Sequence, residues 1–179
     1  MPMVEPPLVR RAERLAQELA FERSCTPEVG RLLHLLAAQR GRARVGEIGT
    51  GAGVGTAWMA SALRPGVPLY TVETDAVLAT AVRELFSEDP DVHVLGGDRL
   101  ELEAEAPFDL LFVDASAAKA DPRTVGLLAP GGTAVLDDLT PGYADPDPVR
   151  ELWLGHPHLA AVELAVAPRA AVLVAVRVR

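Results

Sequence analysis

Four alternating glycines follow a short apolar segment directly, and an acid precedes them. The spacing is Glu47-x-Gly49-x-Gly51-x-Gly53, and Gly55 extends it. Glycines at these positions let the backbone turn sharply and approach a ligand without side-chain clashes. If a helix follows, the amides of its first turn point towards a polar or anionic group of that ligand. The pattern predicts a ligand-binding loop, for which a dinucleotide and S-adenosylmethionine are the candidates.

The spacing of the glycines separates these two candidates. The dinucleotide fingerprint G-x-G-x-x-G is not met, because its third glycine would fall on Val54 or on Thr56. Glu47 would repel a pyrophosphate, whereas it can face the amino group of a methionine moiety. A P-loop is excluded because the chain contains no Gly-Lys-Ser or Gly-Lys-Thr. The loop therefore favours S-adenosylmethionine, and the alternative interpretation is a merely tight strand-to-helix turn.

Two further acids follow the next strand-like segments. Glu73 lies 24 residues after Gly49, at a strand end from which a carboxylate can accept both ribose hydroxyls. The turn Gly97-Asp98-Arg99 follows the third segment, and Asp98 could accept a hydrogen bond from an adenine amino group. Each acid alone is compatible with a solvated loop. Acids at three successive strand ends favour the cofactor interpretation.

The elements that position these residues alternate between strand and helix from residue 43 onward. This alternation predicts parallel strands with helices on both faces of the sheet. The predicted strands are residues 43–48, 69–72, 92–95, 108–113, 132–136, 159–166 and 170–178. The predicted helices are residues 8–21, 27–40, 53–63, 76–86, 122–128 and 148–154, with Thr26 as a helix cap.

The last two strands differ from the others. The turn Ala167-Pro168-Arg169 is too short for a crossover, so these strands must be antiparallel. A mostly parallel seven-stranded sheet with a C-terminal antiparallel hairpin is the α/β, Rossmann-like layout of the class I methyltransferase fold. We expect one methyltransferase domain over residues 1–179, with N-terminal helices at 1–42 and a cofactor-binding core at 43–179.

Composition and charge narrow the class of protein. The formal net charge is −8, and no basic patch or tail is present, which argues against a nucleic-acid partner. The single cysteine cannot form an internal disulfide, and the N-terminal residues lack signal-peptide features. Glu163 and Pro168 interrupt the most apolar stretch, so it predicts strands and no membrane span. We expect a cytoplasmic protein with a small-molecule substrate, in which the terminal hairpin or the first helix could form a homodimer.

Four segments resemble the cation-dependent O-methyltransferases, typified by catechol and caffeoyl-CoA O-methyltransferases. In chain order they are residues 24–33, 47–55, 108–115 and 128–138. Class I methyltransferases share the glycine loop generally, whereas the two aspartate segments are more specific to this family. The resemblance implies S-adenosylmethionine as methyl donor and a small hydroxylated, catechol-like acceptor.

The resemblance and the glycine loop together assign cofactor-binding residues. The set is Cys25, Glu47, Gly49, Thr50, Gly51, Gly53, Gly55, Glu73, Gly97, Asp98, Arg99 and Asp114.

The resemblance also implies a metal site. Asp114, Asp137 and Asp138 fall on the family's divalent-metal ligands. Three carboxylates suit Mg²⁺, and also Mn²⁺ or Ca²⁺. Because the fourth and fifth strands should be neighbours, their carboxylates should converge. A metal there would hold a substrate hydroxyl and favour its oxyanion.

Asp114 and Lys119 are the predicted catalytic residues, with Lys119 as the base that takes the hydroxyl proton. The family has its lysine three residues after the first aspartate, whereas Lys119 comes five residues after Asp114. A surface lysine on a loop is the alternative. Where the family has an aspartate–asparagine pair, this chain has Asp137-Asp138. The segments that cover the substrate in the family are short here. Tyr143 is expected either at the mouth of the pocket or in a solvated loop.

Two other functions remain open. The short substrate cover and the altered aspartate–lysine spacing are compatible with a non-catalytic or regulatory S-adenosylmethionine-binding protein. A nicotinamide-dependent oxidoreductase is the third possibility, and the failed dinucleotide fingerprint and Glu47 argue against it.

Overall fold

The computed structural model describes residues 4–142 and 146–179. The described residues form one seven-stranded sheet with the order β3-β2-β1-β4-β5-β7-β6. The strands are β1 (Val45–Ile48), β2 (Leu69–Glu73), β3 (Val92–Gly96), β4 (Phe108–Val113), β5 (Leu128–Leu139), β6 (Leu159–Ala167) and β7 (Ala170–Arg177). Strands β1 to β5 pair in parallel, and β7 pairs antiparallel with β5 and β6. The predicted sheet with its C-terminal hairpin is confirmed.

Helices cover both faces of the sheet. They are α1 (Pro7–Glu18), α2 (Pro27–Ala37), α3 (Val54–Ala60), α4 (Ala76–Leu85), α5 (Ser116–Lys119) and α6 (Pro148–Gly155), with 3₁₀ turns at Arg99–Leu102 and Pro122–Leu127. Helix α2 starts where the sequence predicts, because the Thr26 side chain accepts a hydrogen bond from the Val29 amide at 3.4 Å. None of the helices within 4–142 and 146–179 has the length and apolar character needed to cross a bilayer.

Several predicted bounds are wrong. The first helix ends before residue 21, because Ala20 takes a left-handed φ of 50°. The predicted helix 122–128 is a 3₁₀ turn, and the short helix α5 was not predicted. Strand β5 begins at Leu128 rather than at 132, because pairing with β4 carries it through the Gly131-Gly132 pair.

Helices α2 and α3 pack closely on one face of the sheet. A Cβ at Gly30 would collide with the Trp58 indole, so the glycine permits this approach. Trp58 is buried in the core, and its indole nitrogen has no partner among the described residues. On the opposite face, Trp153 of α6 is buried in the same hydrophobic cluster as Leu136 of β5 and Leu173 of β7. The two layers fix the carboxyl ends of the strands at one edge of the sheet.

The strand order reverses beside β1. Strand β1 pairs with β2 on one side and with β4 on the other, so the loops that follow β1 and β4 diverge. A crevice opens outside the carboxyl ends of strands at such a switch point.

Candidate functional site

A cavity of about 690 Å³ lies at the carboxyl ends of β1, β2 and β4. This volume falls in the range of small-molecule sites, about 300–1,000 Å³. Most of the predicted cofactor residues line it, namely Cys25, Glu47, Gly49, Thr50, Gly51, Gly55, Glu73, Gly97, Asp98, Arg99 and Asp114. Gly53 is not among the lining residues.

The glycine loop takes backbone angles that other residues rarely adopt. Gly49, Gly51 and Gly53 have φ of +96°, +53° and +83°. A Cβ on Gly49 would lie 3.0 Å from the Ala115 amide nitrogen, so the loop passes close to the end of β4. Gly53 faces Val82 and Phe86 instead of the cavity, so its role is to let the chain turn into α3.

Glu47 has the surroundings expected of a ligand-binding group. Its side chain is 1% exposed. One oxygen, Oε2, accepts hydrogen bonds from the hydroxyls of Thr56 and of Thr71, the latter at 2.7 Å. The other, Oε1, is buried without a hydrogen-bond partner in the part of the chain that is described. A Cβ on Gly55 would lie 2.5 Å from this oxygen, so the glycine leaves the space beside it open.

Burial raises the pKa of Glu47 to about 7, because an ionised carboxyl loses hydration there. The hydrogen bonds from Thr56 and Thr71 lower this pKa, and the charge of Glu73 raises it. The sequence analysis missed both threonines. Thr71 lies opposite Glu47 in the β1–β2 pairing, and its polar side chain within a buried apolar strand was a usable signal.

Glu73 connects the end of β2 to the glycine loop. Its Oε2 accepts from the Gly51 amide at 2.8 Å, and its Oε1 accepts from the Asp75 amide at 2.9 Å. Thr50, also predicted, shares a hydrogen bond of 2.5 Å with the Thr71 hydroxyl and so belongs to the network around Glu47.

The turn after β3 contains two predicted residues with different surroundings. Asp98 is exposed, and its carboxylate accepts from the Leu100 amide at 2.7 Å. Arg99 is buried, and its guanidinium pairs with Glu103 at 2.5 Å and with Asp121 at 3.1 Å. The Arg99 charge is therefore directed at two carboxylates of the protein.

Cys25 lies between α1 and α2 and reaches the same cavity. Burial raises the pKa of its thiol well above the ordinary value, and the charges of Asp137, Glu47 and Asp114 raise it further. The thiol stays protonated at neutral pH and forms a neutral part of the cavity wall.

Three carboxylates converge where β4 and β5 end. Asp114, Asp137 and Asp138 each offer one oxygen, and these oxygens lie within 4.8 Å of one another. Asp138 has a left-handed φ of 58°, and the β5–β7 pairing shifts register between Leu136 and Leu139. Successive strand side chains ordinarily point to opposite faces. The irregularity at Asp138 therefore explains how two consecutive aspartates reach one point.

Lys119 joins this cluster. Its ammonium nitrogen lies 3.5 Å from Asp114 Oδ1 and 3.5 Å from Asp138 Oδ2, and its side chain is 5% exposed. The interpretation of Lys119 as a surface lysine is wrong. Helix α5 winds residues 116–119 into one turn, which brings the lysine back beside Asp114 despite the longer spacing in sequence.

The carboxyls of this site outnumber its one lysine. Burial raises the pKa of Asp114 to about 8, with the charges of Asp138, Asp137 and Glu47 adding to the effect and that of Lys119 opposing it. Burial also raises the pKa of Asp137. A cationic ligand would favour the ionised form of both carboxyls. Tyr143, the predicted residue at the pocket mouth, lies outside the described residues.

Known proteins are similar to this chain in sequence and in architecture. A family model described as a methyltransferase domain matches residues 47–139. One relative is a Mycobacteroides abscessus protein with a provisional O-methyltransferase name. It is 33% identical to this chain over 133 residues, and the alignment covers 69% of this chain and 62% of that protein. The aligned part thus spans less than two thirds of this curated relative.

Solved structures match nearly the whole chain. The O-methyltransferase TomG from Streptomyces achromogenes, in complex with S-adenosylmethionine, is 25% identical with a TM-score of 0.82, covering 99% of this chain and 92% of that one. An O-methyltransferase from Bacillus cereus, in complex with S-adenosylhomocysteine, is 22% identical with a TM-score of 0.82, covering 99% and 94%. The second likeness shows the fold alone, and both share the layout described above.

Proposed function

The chain belongs to the class I methyltransferase family, and from this premise we propose that it transfers a methyl group from S-adenosylmethionine to a hydroxyl oxygen of a small molecule. The observation that carries the proposal is the buried, unpartnered Glu47 Oε1 at the cavity. A buried carboxylate oxygen without a partner is costly unless a ligand supplies a donor. The α-amino group of S-adenosylmethionine is such a donor.

The remaining cofactor contacts follow from the positions of the lining residues. Glu73 is assigned to the ribose hydroxyls and Asp98 to the adenine amino group, since both line the cavity at strand ends. The glycine loop leaves room for the cofactor, because a Cβ at Gly55 would lie 2.5 Å from Glu47 Oε1 and a Cβ at Gly49 would lie 3.0 Å from the Ala115 amide nitrogen. When bound, S-adenosylmethionine supplies an electrophilic methyl group.

The three-carboxylate cluster is proposed as the acceptor side of the site. Its three convergent carboxylates fit Mg²⁺, Mn²⁺ or Ca²⁺, which prefer oxygen ligands. Asp114, Asp137 and Asp138 would hold the ion, which would supply charge stabilisation for a substrate oxyanion.

Lys119 is the proposed base in this arrangement, and its Nζ lies beside Asp114 and Asp138. Only the neutral amine can receive a hydroxyl proton, and a metal ion held by the same carboxylates would favour the neutral amine by repelling the ammonium. The other contributions of the protein are positioning and charge complementarity. A catechol-like acceptor has adjacent hydroxyls and suits such a site.

The regulatory alternative rests on the short substrate cover and on the altered aspartate–lysine spacing. The second argument is weakened because helix α5 brings Lys119 to Asp114, and the first still stands. Membership of the methyltransferase family disfavours a nicotinamide-dependent oxidoreductase. The single domain over 1–179, the homodimer and the cytoplasmic location stay predictions.

Isothermal titration tests the cofactor proposal. We expect wild-type protein to bind S-adenosylmethionine and S-adenosylhomocysteine, and Glu47→Gln to bind about tenfold or more weakly, since a hydrogen bond to a charged group contributes about 1.5–3 kcal/mol. Glu84→Gln, on the exposed face of α4, is the matched control. Absence of binding to the wild type would overturn the proposal.

Methyl transfer is tested separately. A panel of catechols and monohydroxylated phenols is incubated with cofactor, with and without Mg²⁺, and S-adenosylhomocysteine release is measured. Turnover of catechols above monophenols supports the acceptor class. Cofactor binding without turnover of any hydroxylated acceptor would instead revive the regulatory function.

A further inference from the structure

Lys119 occupies a position that a metal ion would also require. Its Nζ is 3.5 Å from Asp114 and 3.5 Å from Asp138, and both belong to the three-carboxylate cluster. We propose that the Lys119 ammonium competes with a divalent metal ion for these carboxylates, and so sets how tightly the site binds the metal. The inference rests on the proposed metal role of the cluster.

The backbone of Lys119 is anchored beside the cluster. The Trp153 indole N–H donates to the Lys119 carbonyl oxygen at 2.8 Å, and the Lys119 amide donates to the Ala115 carbonyl at 3.1 Å. Trp153 is fully buried. The lysine stem therefore starts from a fixed point, and its ammonium stays within reach of the carboxylates.

The ammonium is shared between its partners rather than held by one. Charge-assisted N–H···O bonds are ordinarily about 2.7–2.9 Å long, and both Lys119 distances, at 3.5 Å, are longer. Within the described part of the chain, the ion pairs of Lys119 are those with Asp114 and Asp138. Such a loosely held ammonium can yield to a cation that binds the same oxygens more closely.

Competition follows from the charges. A divalent ion bound to Asp114 and Asp138 would face the Lys119 ammonium at short range. Asp138 is 76% exposed, but Asp114 and Lys119 are only 16% and 5% exposed, so like charges repel more strongly there than in open water. Metal binding must therefore displace the ammonium from at least one carboxylate. Removing the lysine charge removes this cost.

The test compares metal affinity among charge variants of the full-length chain. Lys119→Met keeps an unbranched side chain without the charge, and Lys119→Arg keeps the charge. Arg31→Met, which removes an exposed cation paired with Glu28 outside the cavity, controls for general electrostatics. Mn²⁺ binding is followed by electron paramagnetic resonance, and Mg²⁺ binding by calorimetry.

We expect Lys119→Met to bind Mn²⁺ about tenfold or more tightly than wild type, and both other variants to stay within about threefold. Equal or weaker binding by folded Lys119→Met overturns the proposal, as does absence of Mn²⁺ binding in every variant.

A second measurement uses the wild type and so does not depend on the folding of a variant. Lys119 is the only lysine in the chain, so ¹⁵Nζ-lysine labelling gives one side-chain resonance. Saturable displacement of this resonance by Mg²⁺ supports the competition, and an unmoved resonance under saturating Mg²⁺ overturns it. Titration of the same samples with S-adenosylhomocysteine separates the two proposals, because its binding tests the cofactor site alone.

Discussion

At the scale of single residues, the ionisation of Glu47 controls whether its free oxygen can pair with a cationic amino group. The carboxyl must be ionised to do so, and its pKa is raised to about 7. Ligand affinity should therefore fall as the pH drops through this value. The other titratable groups that face the cavity near Glu47 are Glu73, Asp114 and Cys25.

Thr71→Val tests this dependence. Loss of the hydroxyl removes a hydrogen bond that lowers the pKa of Glu47, so a larger fraction of the carboxyl is protonated at neutral pH. We expect S-adenosylhomocysteine to bind the variant about tenfold more weakly than wild type at about pH 6.5, with the difference shrinking at about pH 8.5.

Calorimetric titration across this pH range is the measurement, and each variant is compared with wild type at the same pH. Thr80→Val, on the exposed face of α4, is the matched control. A pH-independent loss in Thr71→Val would mean that Thr71 acts through packing and not through the charge of Glu47.

Residue types and strand ends were enough to predict the acids of the site. Glu47 and Glu73 were predicted because parallel strands present their carboxyl ends at one edge, whereas Asp114 was predicted from the family resemblance. The Thr56 and Thr71 donors were not predicted, because which hydroxyl meets Glu47 depends on the β1–β2 register and on the packing of α3. Arg99 was assigned to the cofactor, but its partners Glu103 and Asp121 depend on the folding of the following loop.

At the scale of elements, the short helix α5 matters most for the site. It compensates for the unusual spacing between Asp114 and Lys119. Trp153 of α6 anchors it, because the indole N–H donates a hydrogen bond to the Lys119 carbonyl oxygen. The sequence gives little indication of a four-residue helix, because so short a segment shows no periodicity. The irregularity of β5 at Asp138 could not be predicted from the sequence either, because it accompanies a register shift in the pairing with β7.

Trp153→Phe tests the anchoring of α5. The variant leaves the Lys119 carbonyl without its donor, so we expect it to destabilise the protein by about 1–3 kcal/mol more than the packing loss alone. Trp58→Phe is the matched control, because the Trp58 indole is also buried but its nitrogen has no partner among the described residues. Urea unfolding measures both, and equal losses would contradict the anchoring role.

At the scale of the whole molecule, the fold concentrates acids at one edge of the sheet. The formal net charge is −8, and Glu47, Glu73, Asp114 and Asp138 all line one cavity. The alternation of strands and helices was enough to predict this gathering. The depth of the cavity was not predictable, because it depends on the fold of the segment between α1 and α2, which places Phe21, Arg23, Ser24 and Cys25 on the cavity wall.

Ligand binding should stabilise the whole chain by mass action. S-adenosylhomocysteine at about 100 times its Kd should add about 2.7 kcal/mol to the free energy of unfolding and raise Tm by about 5–10 °C. Glu47→Gln at the same ligand concentration should show a much smaller rise. Thermal unfolding followed by circular dichroism measures both, and equal rises would contradict the role of Glu47.

The burial of Lys119 protects the chain from lysine-specific proteases. Of 17 basic residues Lys119 alone is a lysine, and its side chain is 5% exposed. A lysine-specific protease therefore has one cleavage site in this chain, and it can cut there only after the segment around α5 has opened. The rate of that single cut reports how often α5 opens beside the carboxylate cluster.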